Sequence, residues 1–381
     1  MIAARQKLHS SWSRLKTSTV SNVEQLDALT GLRGFAALWV VSLHFIRETN
    51  TLLPASAGFN WFMGAGANAV PLFFILSGFI LLHTYRDRFE IFSWREYFRF
   101  LGLRLARVYP AYLAALAAMI LLVVVSAVAG VPHTAGAYPL RWLLPEVLML
   151  HNWVVMPPNF SGWNYPDWSV SAEWFAYLFI FPLAVWLLKK ISGGGKLRVA
   201  ALALAVCVLE PAIRTEWKLS MVSLLFLAGA LLWDLRRRLL ALGGNMMQHL
   251  DSLGVALLLA AVWFASVNGG RLAAAGILLA VALMIFGLAR ADGIFSRLLA
   301  ARVCVFLGEI SYSIYLVHGI VQRLVKVALP ASKFAAASLT VRTGIWLADF
   351  GLILLAAMLL YFAVERPARG WLRRKFSRRQ T

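Results

Sequence analysis

Charged residues, and acidic ones above all, are scarce in this sequence of 381 residues. Asp, Glu, Lys and Arg together make up 14% of the chain, and only 17 acidic residues stand against 37 Lys and Arg. Hydrophobic residues make up 61% of the chain. A soluble domain carries more charged surface than this, so the composition excludes an ordinary soluble protein. It indicates a chain that crosses a membrane several times.

Cysteine is rare as well, since the chain holds only Cys207 and Cys304. Both lie in apolar segments, which predicts that they pack as small side chains and form neither a disulfide nor a metal site. The sequence also lacks the motifs G-x-S-x-G, H-E-x-x-H and C-x-x-C, and the segment SGGGK at 192–196 lacks the spacing of a P-loop. Nothing in these patterns predicts a bound metal.

Long apolar runs are what the sequence does have. With a window of about 20 residues, we predict an all-α, polytopic transmembrane helix bundle of about ten spans. The predicted spans lie near 29–46, 67–83, 108–128, 168–188, 198–213, 217–233, 251–267, 271–289, 303–325 and 343–364. No long hydrophilic insert separates them. We therefore predict one membrane domain at 29–366, between a basic arm at 1–28 and a basic tail at 367–381.

Basic residues are distributed unevenly among the predicted loops. If the N-terminus is cytoplasmic, 27 of the 37 Lys and Arg fall on the cytoplasmic side and nine on the other, while Arg33 lies within a span. Loops rich in Lys and Arg tend to stay in the cytoplasm, so both termini are predicted to be cytoplasmic. The same distribution explains the net charge of +20 without a nucleic-acid partner.

Two ionisable residues lie in the first predicted span, LTGLRGFAALWVVSLHF at 29–45. Arg33 and His44 are eleven residues apart, which on an α-helix places them on one face, separated by about 16 Å along the axis. Taken singly, Arg33 is explained as a snorkelling anchor and His44 as a hydrogen-bonded interfacial residue. Together, in one short span where charge is costly, they favour the wall of a polar passage.

Further ionisable residues lie in or beside later spans. Glu173 lies inside an otherwise apolar helix, preceded by Asp167 and Ser169. A carboxylate in a membrane needs a partner or a proton, so Glu173 is a candidate site residue. Asp167 is predicted to lie in the preceding loop or to cap this helix. Glu309 and His318 lie nine residues apart on the ninth span and are therefore predicted to face nearly opposite ways.

An arginine pair precedes the third span, in the segment WREYFRFLGLRLARVYP. Arg104 and Arg107 are three residues apart, so they share a helical face at the membrane edge. Guanidinium groups bind phosphates through bidentate hydrogen bonds, which makes this pair a candidate anion site. Considered alone, the pair is better explained by an interfacial amphipathic helix that binds anionic lipids.

Several blocks of the sequence together resemble the acyltransferase-3 family of integral membrane acyltransferases. These blocks are LDALTGLRGFAALWVVSLHF, PLFFILSGFIL, RLARVYPAY, WSVSAEW, GEISYSIYLVH and VERPAR, and they occur in the family's order over residues 26–367. The resemblance implies a ten-helix bundle in a bacterial inner membrane that moves an acyl group, often acetyl, from cytoplasmic acyl-CoA to a hydroxyl. The expected acceptor is an extracytoplasmic or lipid-linked glycan, although some relatives modify small molecules such as macrolides.

The resemblance also implies roles for the residues that match these blocks. Arg33, Arg104 and Arg107 are expected to hold the phosphates of coenzyme A at the cytoplasmic edge. His44 is expected to act near the thioester, either as a general base on the acceptor hydroxyl or as a nucleophile that takes the acyl group itself. The residue pattern does not distinguish these two roles.

Glu173 is expected to orient an imidazole or the acceptor, and the supporting residues are expected to be Asp167, Ser169 and His318. The expected partners are the coenzyme A thioester, a hydroxyl acceptor and membrane lipids, with no metal. Two other functions are compatible with intramembrane charges. One is a transporter or flippase for an acylated or lipid-linked sugar, and the other is a structural membrane scaffold. The cytoplasmic arginine pair, combined with the histidine on the first span, favours the enzyme.

Overall fold

The computed structural model of the protein describes residues 26–131, 138–153, 162–191, 195, 218–240, 249–289 and 293–377. Across these ranges most residues are helical, and no strand occurs among them. The prediction of an all-α fold is therefore confirmed. The predicted span at 198–213 and Cys207 lie outside the described residues, as does most of the N-terminal arm.

We number the main helices in chain order. They are α1 Asp27–His44, α2 Ile46–Leu52, α3 Ala69–Tyr85, α4 Trp94–Val128, α5 Leu143–Val147, α6 Trp168–Phe175, α7 Phe181–Lys190, α8 Lys218–Leu240, α9 Leu250–Asn268, α10 Gly270–Leu288, α11 Ile294–Leu299, α12 Arg302–Glu309, α13 Ser311–Ala328, α14 Leu339–Leu360 and α15 Arg366–Ser377. Short helical turns lie between some of them, at Pro54–Phe59, Asn60–Gly64, Ala65–Asn68, Arg86–Phe89, Leu140–Trp142, Tyr165–Asp167 and Ala331–Phe334. Two π-helical stretches, Ala176–Ile180 and Tyr361–Glu365, connect α6 to α7 and α14 to α15.

Six continuous helical segments are long and apolar enough to cross a membrane. They are Pro54–Phe89, Trp94–Val128, Tyr165–Lys190, Lys218–Arg237, Leu250–Asn268 and Leu339–Phe376. Two bent pairs, α1 with α2 and α12 with α13, meet the same criteria when each pair is taken as one span, and a shorter apolar helix covers Leu272–Leu288. The chain is therefore a multi-pass integral membrane protein. The described residues give six to eight spans, so the predicted count of ten is approximate.

Both bent pairs break beside a predicted site residue. Helices α1 and α2 meet at 69° around Phe45, directly after His44. Helices α12 and α13 meet at 63° around Ile310, so the predicted ninth span at 303–325 corresponds to a bent pair of helices. Glu309 ends α12 at an exposed position, whereas His318 is fully buried on α13. Because two helices carry these residues, the angle predicted between them does not apply.

Helix α1 packs closely against α12 because glycines lie where the two helices meet. A Cβ atom on Gly34 would overlap the backbone of Leu307 and Gly308, and a Cβ atom on Gly308 would overlap the carbonyl oxygen of Thr30. Small residues allow helix backbones to approach in this way, which increases van der Waals contact within a membrane. This contact fixes the position of α1, and with it the depth at which Arg33 lies.

The segment between α4 and α6 packs into the protein. Glu146, His151, Asn164 and Asp167 lie in this segment and have no exposed surface. The Tyr112 hydroxyl of α4 donates to the Glu146 carbonyl oxygen at 2.7 Å. The described part of this aromatic segment is therefore anchored to the helix bundle by polar contacts as well as by apolar packing.

Candidate active site

A cavity of about 120 Å³ lies between α1, α3, α4, α6 and α13. We call it the polar cavity, because its lining includes Arg33, Arg104, Arg107, Ser169, Glu173 and Tyr315. The first five of these were predicted as site residues from the sequence. The fold thus brings together candidates that come from three separate helices, and the rest of the lining is mostly apolar and comes mainly from α3.

Helix α1 carries Arg33 near one end and His44 at the other. The helix is continuous from Asp27 to His44, so the predicted arrangement on one face, with an axial separation of about 16 Å, applies. Arg33 is half-buried and lines the polar cavity. It makes no hydrogen bond or ion pair with any residue in the described ranges, and Glu173 is the carboxylate that acts on it most strongly. A guanidinium in this state is a candidate anion-binding group.

The two arginines of α4 have different partners. Arg104 Nη2 donates to the Tyr85 hydroxyl at 2.7 Å, and its guanidinium carbon lies 5.0 Å from the centroid of the Tyr85 ring. Arg107 forms an ion pair with Glu365, whose second carboxylate oxygen accepts from the Ser313 hydroxyl at 2.7 Å. Arg104 therefore keeps its full charge beside a neutral partner, whereas a buried carboxylate balances the charge of Arg107.

Glu173 lies in the wall of the polar cavity, half-buried. Its Oε1 atom accepts hydrogen bonds from the Ser77 hydroxyl at 3.0 Å and from the Tyr177 hydroxyl. Tyr177 lies in the π-helical stretch Ala176–Ile180, a type of turn that is frequent at functional sites. Two hydroxyl groups thus hold this carboxylate in the wall of the cavity that the arginines also line.

Hydrogen bonds and ring contacts connect the polar cavity with His44. The hydroxyls of Ser169 and Tyr315 lie 2.8 Å apart, so one donates to the other, and both lie within hydrogen-bond distance of the carbonyl oxygen of Pro166. The Tyr315 ring centroid lies 5.6 Å from that of His318. The His318 ring stacks on His44 at 5.2 Å with an interplanar angle of 13°. His44 therefore lies beyond the polar cavity, next to residues that reach it.

The imidazole of His44 is held from two sides, with Tyr165 on its edge and His318 on its face. The Tyr165 hydroxyl lies 2.8 Å from both ring nitrogens, and the two rings meet edge to face at 4.6 Å between centroids. The side-chain amide of Gln322 donates to the His44 carbonyl oxygen, which holds the last turn of α1 just before the bend. These contacts orient the imidazole without any charged hydrogen-bond partner.

His318 has a nitrogen for which the described residues provide no partner. Its Nδ1 lies 2.7 Å from the Tyr315 carbonyl oxygen, which only accepts, so neutral His318 carries its proton on Nδ1. Nε2 then bears a lone pair, and it is buried without a hydrogen bond among the described residues. Buried nitrogens are normally satisfied, so this atom is a candidate contact for a substrate hydroxyl or a water molecule.

Asp167 directly precedes α6 but does not cap it through its side chain. Its Oδ1 accepts from the Asn164 side-chain amide at 2.8 Å, and that amide also donates to the Leu316 carbonyl oxygen at 3.0 Å. Of the two predicted placements, the position in the preceding turn is right, and the capping hydrogen bond is absent. The Asp167 side chain instead holds the Asn164 amide, which connects this turn to α13, the helix that carries His318.

Sequence reasoning missed three residues that contact the predicted ones. Glu365 lies in the block VERPAR and Tyr315 in the block GEISYSIYLVH, yet neither was singled out as a site residue. Tyr165 lies in an aromatic loop, where one tyrosine looks like the next. Glu365 alone had a usable signal, because it is a carboxylate at the end of an apolar span.

Glu146 and His151 form a second buried pair, outside the membrane-spanning segments. His151 Nδ1 lies 3.5 Å from Glu146 Oε2, and neither side chain is exposed. Burial raises the pKa of Glu146 to about 7 and lowers the pKa of His151 to about 4, so the pair is uncharged between these values. In the described part of the chain, no group of three or more His, Cys, Asp or Glu is placed to hold a metal ion.

Comparison with known proteins gives one family and two relatives. The model of the acyltransferase-3 family, described as an acyltransferase domain, matches residues 26–366. The chain is 31% identical to acyltransferase MdmB of Streptomyces mycarofaciens, over 93% of this chain and 94% of that protein. It is 38% identical to protein 2 in the picA locus of Rhizobium radiobacter, over 29% of this chain and 51% of that protein. No solved structure matches the chain.

Proposed function

The chain belongs to the acyltransferase-3 family of membrane acyltransferases, and on this premise we propose that it transfers an acyl group from cytoplasmic acyl-CoA to a hydroxyl. The proposed acyl group is acetyl, and the proposed acceptor is an extracytoplasmic or lipid-linked sugar. One observation carries the proposal. A single helix, α1, presents an unpaired arginine to a polar cavity at one end and an oriented imidazole at the other.

The arginine end of α1 suits the donor. Arg33 and Arg104 line the cavity without a carboxylate in hydrogen-bond contact, so phosphate oxygens would gain charge-assisted bonds from both. The apolar wall that α3 provides suits the uncharged arm of the donor, which leads from the phosphates to the thioester. This assignment requires the arginine end to face the cytoplasm, in agreement with the basic-residue count that predicts both termini on that side.

At the histidine end, His44 acts as the general base. A ring nitrogen takes the proton of the acceptor hydroxyl while the hydroxyl oxygen attacks the carbonyl carbon of the thioester. The carbon–sulfur bond breaks, and the imidazolium returns the proton to the departing thiolate. An ester and free coenzyme A result, so the reaction needs no further reactant. His318 and Tyr165 hold the imidazole, and Glu173 holds the acceptor or the approaching thioester.

Turnover by purified protein tests the proposal. The protein, in detergent or nanodiscs, is given acetyl-CoA with and without a surface polysaccharide extract, and the released thiol is measured. Acceptor-dependent thiol release is expected. Transport of a lipid-linked sugar without thiol release would favour the transporter instead. An acyl group trapped on His44 in the absence of acceptor would replace the general base with a covalent route.

Two cellular experiments address the acceptor and the orientation. Mass spectrometry of surface polysaccharide, from cells with and without the gene, should differ by the mass of one acetyl group per modified hydroxyl. A larger difference would identify a longer acyl group. A C-terminal reporter that is active only outside the cytoplasm should remain inactive, and its activity would overturn the proposed orientation in the bacterial inner membrane.

A further inference from the structure

Helix α15 lies across α4, next to the arginine pair. Two contacts fix this arrangement. Glu365, directly before α15, forms the ion pair with Arg107, and Phe376 near the far end of α15 lies against Gly102. A Cβ atom at position 102 would overlap the Phe376 ring, so this glycine allows the close approach. The middle of α15 therefore passes the part of α4 that carries Arg104.

Arg369 lies between these two contacts. It follows Glu365 by four residues, about one helical turn, and therefore lies near the same face of the helix. Its side chain is half-buried, and it makes no hydrogen bond or ion pair with the residues that the structure describes. It is close enough to act electrostatically on both Arg33 and Arg107. Repulsion from these arginines disfavours this position unless an anion joins them.

The charges at this place do not balance. Four guanidiniums act on one another there, namely Arg33, Arg104, Arg107 and Arg369. Two carboxylates accompany them, Glu365 in its ion pair and Glu173 held by hydroxyls. An excess of two positive charges in a half-buried position is costly without a counter-charge. A ligand with at least two negative charges would remove that cost.

We propose that Arg369 is a fourth phosphate-binding residue of the donor site and that α15 forms the outer wall of this site. The proposal rests on the proposed function, because it takes the phosphates to be those of acyl-CoA. Arg33 and Arg104 contact the phosphates at the cavity, and Arg369 contacts them from the side of α15. The C-terminal helix thereby selects a donor that carries several phosphates over an uncharged thioester.

A phospholipid headgroup presents the same phosphate chemistry, so the experiment has to separate the two sources. Coenzyme A binding is measured by calorimetry, in nanodiscs of phosphatidylcholine only, for the wild type, R369Q and R104Q. Arg374 is exposed on the same helix and points away from Arg369, so R374Q is the matched control. Thermal melting of each variant shows whether it is folded.

R369Q should bind coenzyme A about 10-fold more weakly than the wild type, the order expected for one lost charge-assisted bond. R374Q should bind normally, and R369K should recover part of the loss, because lysine keeps the charge but lacks the planar fork. With 3′-dephospho-coenzyme A as the probe, an equal loss assigns Arg369 to the pyrophosphate. A loss seen only with the complete molecule assigns it to the 3′-phosphate.

Three results would overturn the inference. Normal coenzyme A affinity in R369Q, beside weakened affinity in R104Q, removes Arg369 from the donor site and leaves the proposed function standing. An effect of R369Q that appears only in nanodiscs containing an anionic phospholipid makes Arg369 a lipid contact. Absence of coenzyme A binding by the folded wild type refutes the proposed function itself, and the inference fails with it.

Discussion

The two ends of α1 differ in the contacts that the described residues make with the side chain there. At the Arg33 end, guanidiniums outnumber carboxylates, and Arg33 itself has neither a hydrogen bond nor an ion pair among the described residues. At the His44 end, the protein supplies the contacts: Tyr165 on the ring edge, His318 on the ring face and Gln322 on the backbone. The first end is incomplete without an anion, whereas the second is already assembled.

This difference separates binding from chemistry. Charge that is left unbalanced provides affinity for a charged ligand, because the ligand replaces a repulsion with attractive contacts. An imidazole held in one orientation provides reactivity, because no ordering is needed when the substrate arrives. About 16 Å of helix lies between the two, so each end can be changed with little direct effect on the other.

The strongest test of this separation is the substitution His44→Ala. Acyl transfer should fall about 10²- to 10⁴-fold, the usual contribution of a positioned general base. Coenzyme A should bind with unchanged affinity, because the proposed phosphate site lies three helical turns away. Thiol release and calorimetry on the same preparation measure both quantities.

The matched control is His249→Ala, which removes an exposed imidazole from the start of α9. It should leave turnover and coenzyme A affinity at the wild-type level. Near-normal turnover in His44→Ala would remove His44 from the reaction. A large loss of coenzyme A affinity in the same variant would show that the two ends are not separate.

The second test compares the two arginines of α4. Arg104→Ala should weaken coenzyme A binding by about 1.5–3 kcal/mol and leave stability almost unchanged, because Arg104 gives up a bond to a neutral hydroxyl. Arg107→Ala should instead cost about 3–5 kcal/mol of stability, because it leaves Glu365 buried without its partner. Calorimetry and thermal melting distinguish these two effects.

A double substitution provides the control for this comparison. Adding Glu365→Gln to Arg107→Ala should restore part of the lost melting temperature, because the unpaired buried charge is removed. If Arg107→Ala lowers coenzyme A affinity as much as Arg104→Ala and leaves the melting temperature unchanged, Arg107 is a plain phosphate contact and its ion pair contributes little.

The sequence predicts the Arg33 end of the site better than the His44 end. Ionisable residues in apolar spans stand out, and helical spacing alone places Arg33 and His44 on one face, as α1 confirms. Arg104 and Arg107 are equally visible as a pair. That one of them is paired and the other is not depends on Glu365, 258 positions away in the chain. Such a contact follows from helix packing and leaves no local pattern.

The contacts around His44 are harder to predict for a different reason. They are made by neutral rings and hydroxyls, and this chain has 13% aromatic residues, so Tyr165 has no distinguishing mark. Hydropathy shows that the apolar run ends soon after His44 and that polar residues flank Ile310, but it does not give the bend at either place. Because of the second bend, Glu309 and His318 lie on two helices, and the helical angle predicted between them does not apply.

A finer test of the His44 end is Tyr165→Phe. The variant keeps the edge-to-face ring contact and removes only the hydroxyl that lies 2.8 Å from the imidazole nitrogens. One neutral hydrogen bond is worth about 0.5–1.5 kcal/mol, so kcat should fall about 2- to 10-fold. The KM for acetyl-CoA should not change, and the pH profile of kcat should shift, because the hydroxyl contacts the titrating ring.

Tyr109→Phe is the matched control for this substitution. The Tyr109 hydroxyl donates to the Val147 carbonyl oxygen at 2.9 Å and does not contact His44. It should leave the pH profile of kcat at the wild-type position. If the two variants change kcat and its pH profile equally, Tyr165 has no specific effect on His44. The hypothesis that protein contacts orient the His44 imidazole before substrate binds is then weakened.

The last test concerns Glu146, away from both ends of α1. Its pKa is raised by burial to about 7, from 4.5, so folding favours its protonated form. Its contribution to stability is full below about pH 4.5 and is lost as the pH rises to about 7, roughly 3 kcal/mol at most. His151 has the opposite dependence, because its lowered pKa removes stability as the pH falls from 6.5 toward 4. The two dependences nearly cancel in the wild type between pH 5 and 7, so Glu146→Gln should leave the His151 dependence alone and make the melting temperature rise over this range, while Asp87→Asn, at an exposed carboxylate, should follow the wild type. Parallel melting curves for Glu146→Gln and the wild type over this range would show that Glu146 is already ionised in the folded protein.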